Sequence, residues 1–201
     1  MPATDPWAHL AERYEEAYGP KDDSPCTPRA REFARLVDGP IIDLACGPGF
    51  ELARFAHGVG IDSSQAMLAA ARTRAPSAHL VLGDVRHLPL KSSTLAAAFS
   101  CLALIHLTKA EFAGVLSQLR GLLRLGAPVS MIFFEGTGER DTTFSPFDSA
   151  TAHYAFYRPL ELVLMFENAG FVDVNVERDL LQEPHARPAP CLCVTAVNPG
   201  L

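Results

Sequence analysis

Three carboxylates, each closing a short apolar run, are the side chains of this sequence best placed to do chemistry. Asp43 stands in Ile41-Ile42-Asp43-Leu44, Asp62 ends Val59-Gly60-Ile61-Asp62, and Asp84 follows His79-Leu80-Val81-Leu82-Gly83 and precedes Val85. Short apolar runs of this kind read as buried parallel strands, and the rim beyond the carboxyl ends of such strands is where open α/β sheets bind ligands. After the first run comes Ala45-Cys46-Gly47-Pro48-Gly49-Phe50. There Gly47 and Gly49 let the backbone turn tightly and meet a ligand with no side chain between. Residues 51–56 then read as the first turns of a helix.

Spacing decides which ligand class the rim suits. A pyrophosphate turn needs G-x-G-x-x-G, but counting from Gly47 puts Leu52 at the third glycine, and counting from Ala45 puts Phe50 there. No G-x-x-x-x-G-K-[ST] occurs, and no lysine stands near the turn. A nucleoside without phosphates fits better. An acid about 20 residues past a strand–turn–helix start is suited to accept ribose hydroxyls, which gives Asp62 that role. Asp84 is suited to an exocyclic amino group at the same rim. Asp43 is suited to orienting the turn or meeting an amino group. The plain alternatives are a helix cap for Asp62, an ordinary Gly-Asp turn for Asp84 and solvation of a strand end for Asp43.

Together these segments resemble the class I S-adenosylmethionine-dependent methyltransferases. Asp43-x-Ala45-x-Gly47-x-Gly49 is similar to the family's first motif, with alanine at the first glycine. Gly60-Ile61-Asp62-Ser63-Ser64-x-x-Met67-Leu68 looks like its second motif, and Gly83-Asp84-Val85-x-x-Leu88-Pro89-Leu90 like its third. Residues 93–100, followed by Cys101-Leu102-Ala103-Leu104-Ile105-His106-Leu107, resemble the fourth strand and the loop over the cofactor, although Leu95-Ala96 stand where many members have Phe-Asp. The resemblance covers nearly the whole chain. It implies S-adenosylmethionine as methyl donor and S-adenosylhomocysteine as product. By the same resemblance Tyr14, Asp43, Ala45, Cys46, Gly47, Gly49, Asp62, Ser63, Met67, Asp84, Val85 and Cys101 contact the donor. Methyl transfer is an in-line displacement in which positioning supplies much of the rate. His106 is the candidate general base for a hydroxyl or amine acceptor. Its plain alternative is packing over the cofactor or bonding a backbone carbonyl.

The elements that must hold these residues alternate along the chain. Leu10, Tyr14 and Tyr18 fall at intervals of four, one helical face, before the turn-rich residues 19–25, so residues 1–27 are expected to form a lid helix and hinge. Thr27-Pro28 opens a helix running to Val37. Ser63 or Ser64 caps a helix to about Arg74, and Thr108 caps one carrying Phe112, Val115, Leu116 and Leu119 that Gly126 ends. A strand follows over residues 129–134, then a helix opened by Arg158-Pro159, and strands at 171–176 and 191–197. The alternation predicts an α/β fold, and the resemblance implies its form: a Rossmann-like, doubly wound, seven-stranded, mostly parallel sheet with an antiparallel last strand and helices on both faces. Residues 135–158 read as a substrate-side loop, whose Phe144, Phe147, His153, Tyr154, Phe156 and Tyr157 either face an acceptor or pack the loop onto the core.

Bulk properties narrow the partners. A chain of 201 residues predicts one domain. The net charge of −6 argues against nucleic acid, which requires clustered Lys and Arg. No apolar run reaches membrane-span length and no basic-then-apolar leader begins the sequence, which predicts a cytoplasmic protein, a monomer or homodimer, acting on a small molecule. Cys26, Cys46, Cys101, Cys191 and Cys193 are odd in number and scattered, which predicts neither a disulfide nor a metal site. A non-catalytic protein that binds the donor or its product is the alternative function, and a nicotinamide oxidoreductase is disfavoured by the failed glycine pattern.

Overall fold

The computed structural model describes residues 5, 7–18, 26–143, 151–181 and 188–200. A 3-10 turn at Ala8–Leu10 leads into α1 (Ala11–Tyr18), and α2 (Thr27–Arg35) precedes the first strand. Three parallel strands follow, β1 (Ile41–Leu44), β2 (Gly58–Asp62) and β3 (His79–Leu82), with α3 (Gln65–Arg74) between the second and third. Then come β4 (Ala97–Cys101), α4 (Lys109–Leu122), β5 (Pro128–Phe134), the hairpin β6 (Glu139–Thr143) and β7 (Thr151–Ala155), α5 (Pro159–Asn168), β8 (Val172–Leu181) and β9 (Ala189–Val197). The main sheet has seven strands in the order β3-β2-β1-β4-β5-β9-β8. Its first five are parallel, and β9 runs antiparallel to both its neighbours. The order reverses between β1 and β4, so the ends of those two strands form the crevice at the switch point.

Successive strand residues point to opposite faces, and here both faces are apolar. Ile41, Ala97, Phe99, Ile132, Cys191 and Cys193 join one core layer with Ala30 and Phe33 of α2. Their neighbours Ile42, Ala98, Met131, Phe133, Leu192 and Val194 join another with Phe112, Val115, Leu116 and Leu119 of α4 and Phe166 of α5. Continuous apolar runs rather than alternating ones are what a sheet covered twice requires. The second layer centres on an aromatic knot in which the Phe112 ring lies 5.0 Å from Phe133, 5.9 Å from Tyr157 and 6.1 Å from Phe166.

Two local expectations are corrected. Residues 51–56 do not begin a helix; they make one 3-10 turn, Leu52–Arg54, which Phe55 ends in an extended conformation. The turn is pressed onto β2: a Cβ at Gly60 would lie 2.6 Å from a Leu52 methyl and 2.8 Å from Cys46 Sγ. Residues 135–158 are not simply a loop, because β6 and β7 form an antiparallel pair registering Arg140 with Tyr154. Of the aromatics expected there, Tyr157 lies in the core and Tyr154 is buried, while Phe144 and Phe147 fall outside the described residues. The helix starts were legible: Ser64 Oγ accepts from Met67 N at 3.1 Å, and Thr108 forms a capping box with Glu111.

The end of α4 is closed from the far terminus. Buried Asn198 sends its side-chain amide toward the carbonyls of Leu123 at 3.0 Å and of Arg120 and Arg124 at 3.2 Å. Its backbone separately bonds Gly126 and Ala127, and those bonds survive truncation of the side chain. Asn198→Ala is therefore expected to cost about 2 kcal/mol in chemical denaturation, the penalty for leaving buried carbonyls unpaired. A loss below a few tenths would mean that the helix end closes without this amide.

Candidate active site

A cavity of about 400 Å³ opens at the carboxyl ends of β1, β2, β3 and β4. It brings together Tyr14, Asp43, Ala45, Cys46, Gly47, Asp62, Ser63, Met67, Asp84, Val85, Cys101 and His106, every sequence-predicted site residue except Gly49. Gly49 has φ +84° and turns toward α3, where a Cβ would meet Ala71 Cβ at 3.1 Å and Ala71 Cα at 3.2 Å. Its lack of a side chain seats the turn on the helix. Gly47, with φ +51° and nothing within 4 Å of where a Cβ would stand, is the glycine that leaves the cavity open.

One carboxylate ties the turn to the next helix. Asp62 Oδ2 accepts from Gly47 N at 2.8 Å, and Oδ1 accepts from Ser64 N at 2.8 Å. The cap reading and the site reading of Asp62 thus describe one side chain, since each oxygen still has lone-pair capacity toward the cavity. Burial raises its pKa, opposed by those backbone N–H groups. Asp43 is more extreme. It is buried, its Oδ2 has no hydrogen-bond partner among the described residues, and burial, then Glu51 and Asp62, push its pKa well above the usual carboxylate range. An ionised, half-satisfied carboxylate on a cavity wall is costly until a cation or donor reaches it.

Asp84 is differently placed. Both its oxygens accept from the Arg86 side chain, at 2.6–3.0 Å, and Arg86 also reaches Glu111 Oε1 at 2.8 Å. The Arg86 guanidinium holds the carboxyls of both acids below their ordinary pKa. This triad at the rim includes two residues, Arg86 and Glu111, that sequence reading did not select. Their only signal was an acid at the third position of a helix, which reads as a cap.

The cavity also contains backbone strain. Ala45 has φ +53° and Leu102 φ +52°, left-handed values uncommon for side chains with a Cβ, and they follow the ends of the adjacent strands β1 and β4. His106 lies just beyond, in a 3-10 turn at Leu104–His106. Its Nδ1 is 2.9 Å from the His153 carbonyl of β7, and its ring lies 4.8 Å from both Trp7 and Tyr154. Burial lowers its pKa to about 4. The plain alternative for His106, a bond to a backbone carbonyl, is therefore real, and it coexists with a place on the cavity wall. Trp7, which the sequence did not single out, comes from the segment before α1; Leu10, Phe50 and Met67 pack beneath it with Tyr14 alongside.

Cys26 and Cys101 are joined in a disulfide, which overturns the expectation of none. They lie 75 residues apart, at the N-cap of α2 and the last residue of β4, and only the fold brings their Cα atoms to 6.3 Å. Both line the cavity, so the bond ties the start of α2 to the end of β4 at its wall.

Comparison with known proteins bears on the fold that carries this cavity. A methyltransferase-domain family model matches residues 41–126, the stretch containing all three acids, the turn and His106. A protein of Dechloromonas aromatica strain RCB, a malonyl-[acyl-carrier protein] O-methyltransferase, is 28% identical over 186 residues, covering 85% of this chain and 68% of that one. An uncharacterised 37.1 kDa protein of the Streptomyces fradiae transposon Tn4556 is 36% identical over 123 residues, 56% of this chain but only 32% of that protein's length. Among solved structures, an S-adenosylmethionine-dependent methyltransferase from Methanosarcina mazei superimposes with TM-score 0.72 at 16% identity, over 82% of this chain and 94% of that one.

With five cysteines in the sequence and Cys46, Cys191 and Cys193 free, alkylation of denatured, unreduced protein is expected to label three thiols, and all five after reduction. Five labelled before reduction would remove the disulfide.

Proposed function

We propose that this chain is a class I S-adenosylmethionine-dependent methyltransferase that uses the cavity to hold S-adenosylmethionine and to transfer its methyl group to a small-molecule acceptor, a reading its methyltransferase-domain match and its fold support. The observation that carries the reading is Asp43: a buried carboxylate with an unpartnered oxygen, on the wall formed by the turn after β1, matches the ammonium of the donor's methionine part. Asp62 is matched to the ribose hydroxyls and Asp84 to the adenine amino group. Gly47 and the backbone around Ala45 and Cys46 leave room for the methionine chain. Val85 and Met67 offer apolar contact to the base, Ser63 and Cys101 complete the wall, and Tyr14 lies on the side of the N-terminal segment.

The donor supplies a methyl group on a positively charged sulfur. The chain's own contribution is charge, alignment and the exclusion of water. Among the described residues, Asp43, Glu51, Asp62, Asp84 and Glu111 face or rim the cavity against the single cation Arg86, which two of those acids already hold. Such a lining favours a cationic ligand and offers no subsite for a polyanion. The net charge of −6 supports the same preference for a small acceptor over nucleic acid. Trp7, Leu102, Leu107 and Phe134 give the rest of the wall an apolar surface against which an acceptor is held in line.

Asp43 and Asp62 give opposite signatures on substitution. A carboxyl whose pKa is raised by folding contributes stability below its unfolded pKa of about 4, and that contribution is lost as pH rises through the folded value. The raised pKa of Asp43 thus leaves the ligand-free protein less stable at neutral pH than a neutral side chain at that position would. Asp43→Asn is expected to raise the ligand-free melting temperature while weakening S-adenosylhomocysteine binding at least tenfold by titration calorimetry. Asp62→Ala is expected to lower both, because the turn at Gly47 loses its acceptor. Undiminished binding in both variants would place the ligand elsewhere. Incorporation of labelled methyl into any acceptor of a screened set separates the enzyme from a protein that only binds the donor.

A further inference from the structure

The acceptor's chemistry follows from His106, a wall residue whose ring has one nitrogen committed to a backbone carbonyl. His106 Nδ1 lies 2.9 Å from the His153 carbonyl oxygen. A carbonyl can only accept, so Nδ1 carries the hydrogen and Nε2 is the bare nitrogen of the neutral ring. Trp7 and Tyr154, each 4.8 Å away by ring centroid, hold the imidazole at angles of 55° and 71°, and Leu107 and Phe134 continue the same wall. If a ligand meets His106 through a nitrogen, it meets an acceptor in aromatic and apolar surroundings. Among the described residues no cation other than Arg86 lines the cavity, and Arg86 is bound by Asp84 and Glu111.

We propose that His106 Nε2 receives the X–H hydrogen of the methyl acceptor, and that the acceptor is an uncharged aryl nucleophile, a phenol or an arylamine, rather than an aliphatic ammonium. The proposal rests on the cavity being the donor site. A phenol or arylamine donates its hydrogen to Nε2 and still has a lone pair to direct at the methyl carbon. An ammonium has no lone pair until a proton leaves. Nε2 is a poor base for that removal, since burial lowers the ring's pKa to about 4, roughly six units below an alkylammonium near 10. In the transfer the bond from the acceptor's oxygen or nitrogen to the methyl carbon forms, the carbon–sulfur bond breaks with its electron pair remaining on sulfur, and the X–H proton passes to Nε2. The weakly basic ring then returns that proton to water, and the resting tautomer is restored.

Nitrogen-15 NMR of the full chain, labelled at histidine and saturated with S-adenosylhomocysteine, tests this without turnover. The expected result is His106 protonated at Nδ1 and bare at Nε2, with phenol or aniline shifting the Nε2 signal saturably and cyclohexylamine leaving it in place. Two variants separate substrate contact from hairpin support. Asn places an amide near the position of Nδ1 and keeps the bond to His153, whereas Gln places one near Nε2 and keeps the acceptor. With phenol or aniline and labelled donor, His106→Gln is expected to keep the acceptor's KM within about threefold but to lose about a hundredfold in kcat, because an amide oxygen accepts the X–H hydrogen bond without taking the proton, and His106→Asn to lose kcat similarly and raise KM as well, at unchanged S-adenosylhomocysteine affinity. A hydrogen on Nε2, an Nε2 signal unmoved by every probe, binding of cyclohexylamine alone, or a kcat in either variant close to that of the wild type overturns the proposal. If S-adenosylhomocysteine itself fails to bind the wild-type chain, the donor-site reading is what has failed. Labelled methyl on phenol but not aniline, or the reverse, assigns the nucleophile to oxygen or nitrogen.

Discussion

The bridge made by the Asp62 carboxylate, from Gly47 N on one side to Ser64 N on the other, is the constraint on which the rest of the site depends. Two separate connections of the sheet, the turn leaving β1 and the start of α3 after β2, are held in register by a single buried side chain. Charge-assisted hydrogen bonds of this type are among the stronger polar contacts a protein makes. Without it the turn would be left with the seat of Gly49 on Ala71, the bonds from Gly49 N to the Cys46 carbonyl and from Cys46 N to the Ile61 carbonyl, and that from Arg74 to the Pro48 carbonyl. With it, the amide edge of the turn, the unpartnered oxygen of Asp43 and the open side of Gly47 are presented to one cavity.

That arrangement is electrically unfavourable by itself. Asp43, Glu51 and Asp62 repel one another in a buried setting, and the two strained residues Ala45 and Leu102 stand at the neighbouring strand ends. The cost is carried by the scaffold: two apolar layers around the sheet, the Phe112 knot, and the Asn198 closure of α4. A ligand bearing positive charge relieves the repulsion, so stability given up at the cavity returns as affinity. The disulfide from Cys26 to Cys101 brings the start of α2, and the packing of Trp7 on His106 brings the segment before α1, to the same cavity, which therefore has a wall from outside the sheet as well as within it.

How much of this was legible in the sequence depended on the range of the signal. Strand ends with acids, a glycine turn and capping residues are local, and the strands that carry the three acids and the helix starts at Ser64 and Thr108 could be read from them, whereas the sheet's full order and most of the expected donor contacts came with the family resemblance. Gly49 lies off the cavity lining; a glycine near a ligand turn and a glycine under a helix look alike until Ala71 is in place. The helix expected over residues 51–56 failed because Leu52 must pack onto Gly58 and Gly60, a contact between elements. Pairing of Cys26 with Cys101, the β6–β7 hairpin over His106, and the Arg86 link between Asp84 and Glu111 all join residues distant in sequence or depend on side-chain direction, and composition contains no trace of them.

The most direct measurement of the central claim is the structure of the chain crystallised with S-adenosylhomocysteine. The ribose hydroxyls are expected within hydrogen-bond distance of Asp62, the ammonium on Asp43, and the sulfur directed toward the side of the cavity that carries His106. Density for the nucleoside away from the ends of β1, β2 and β3, or a bound ligand that leaves Asp43 and Asp62 untouched, would contradict the claim.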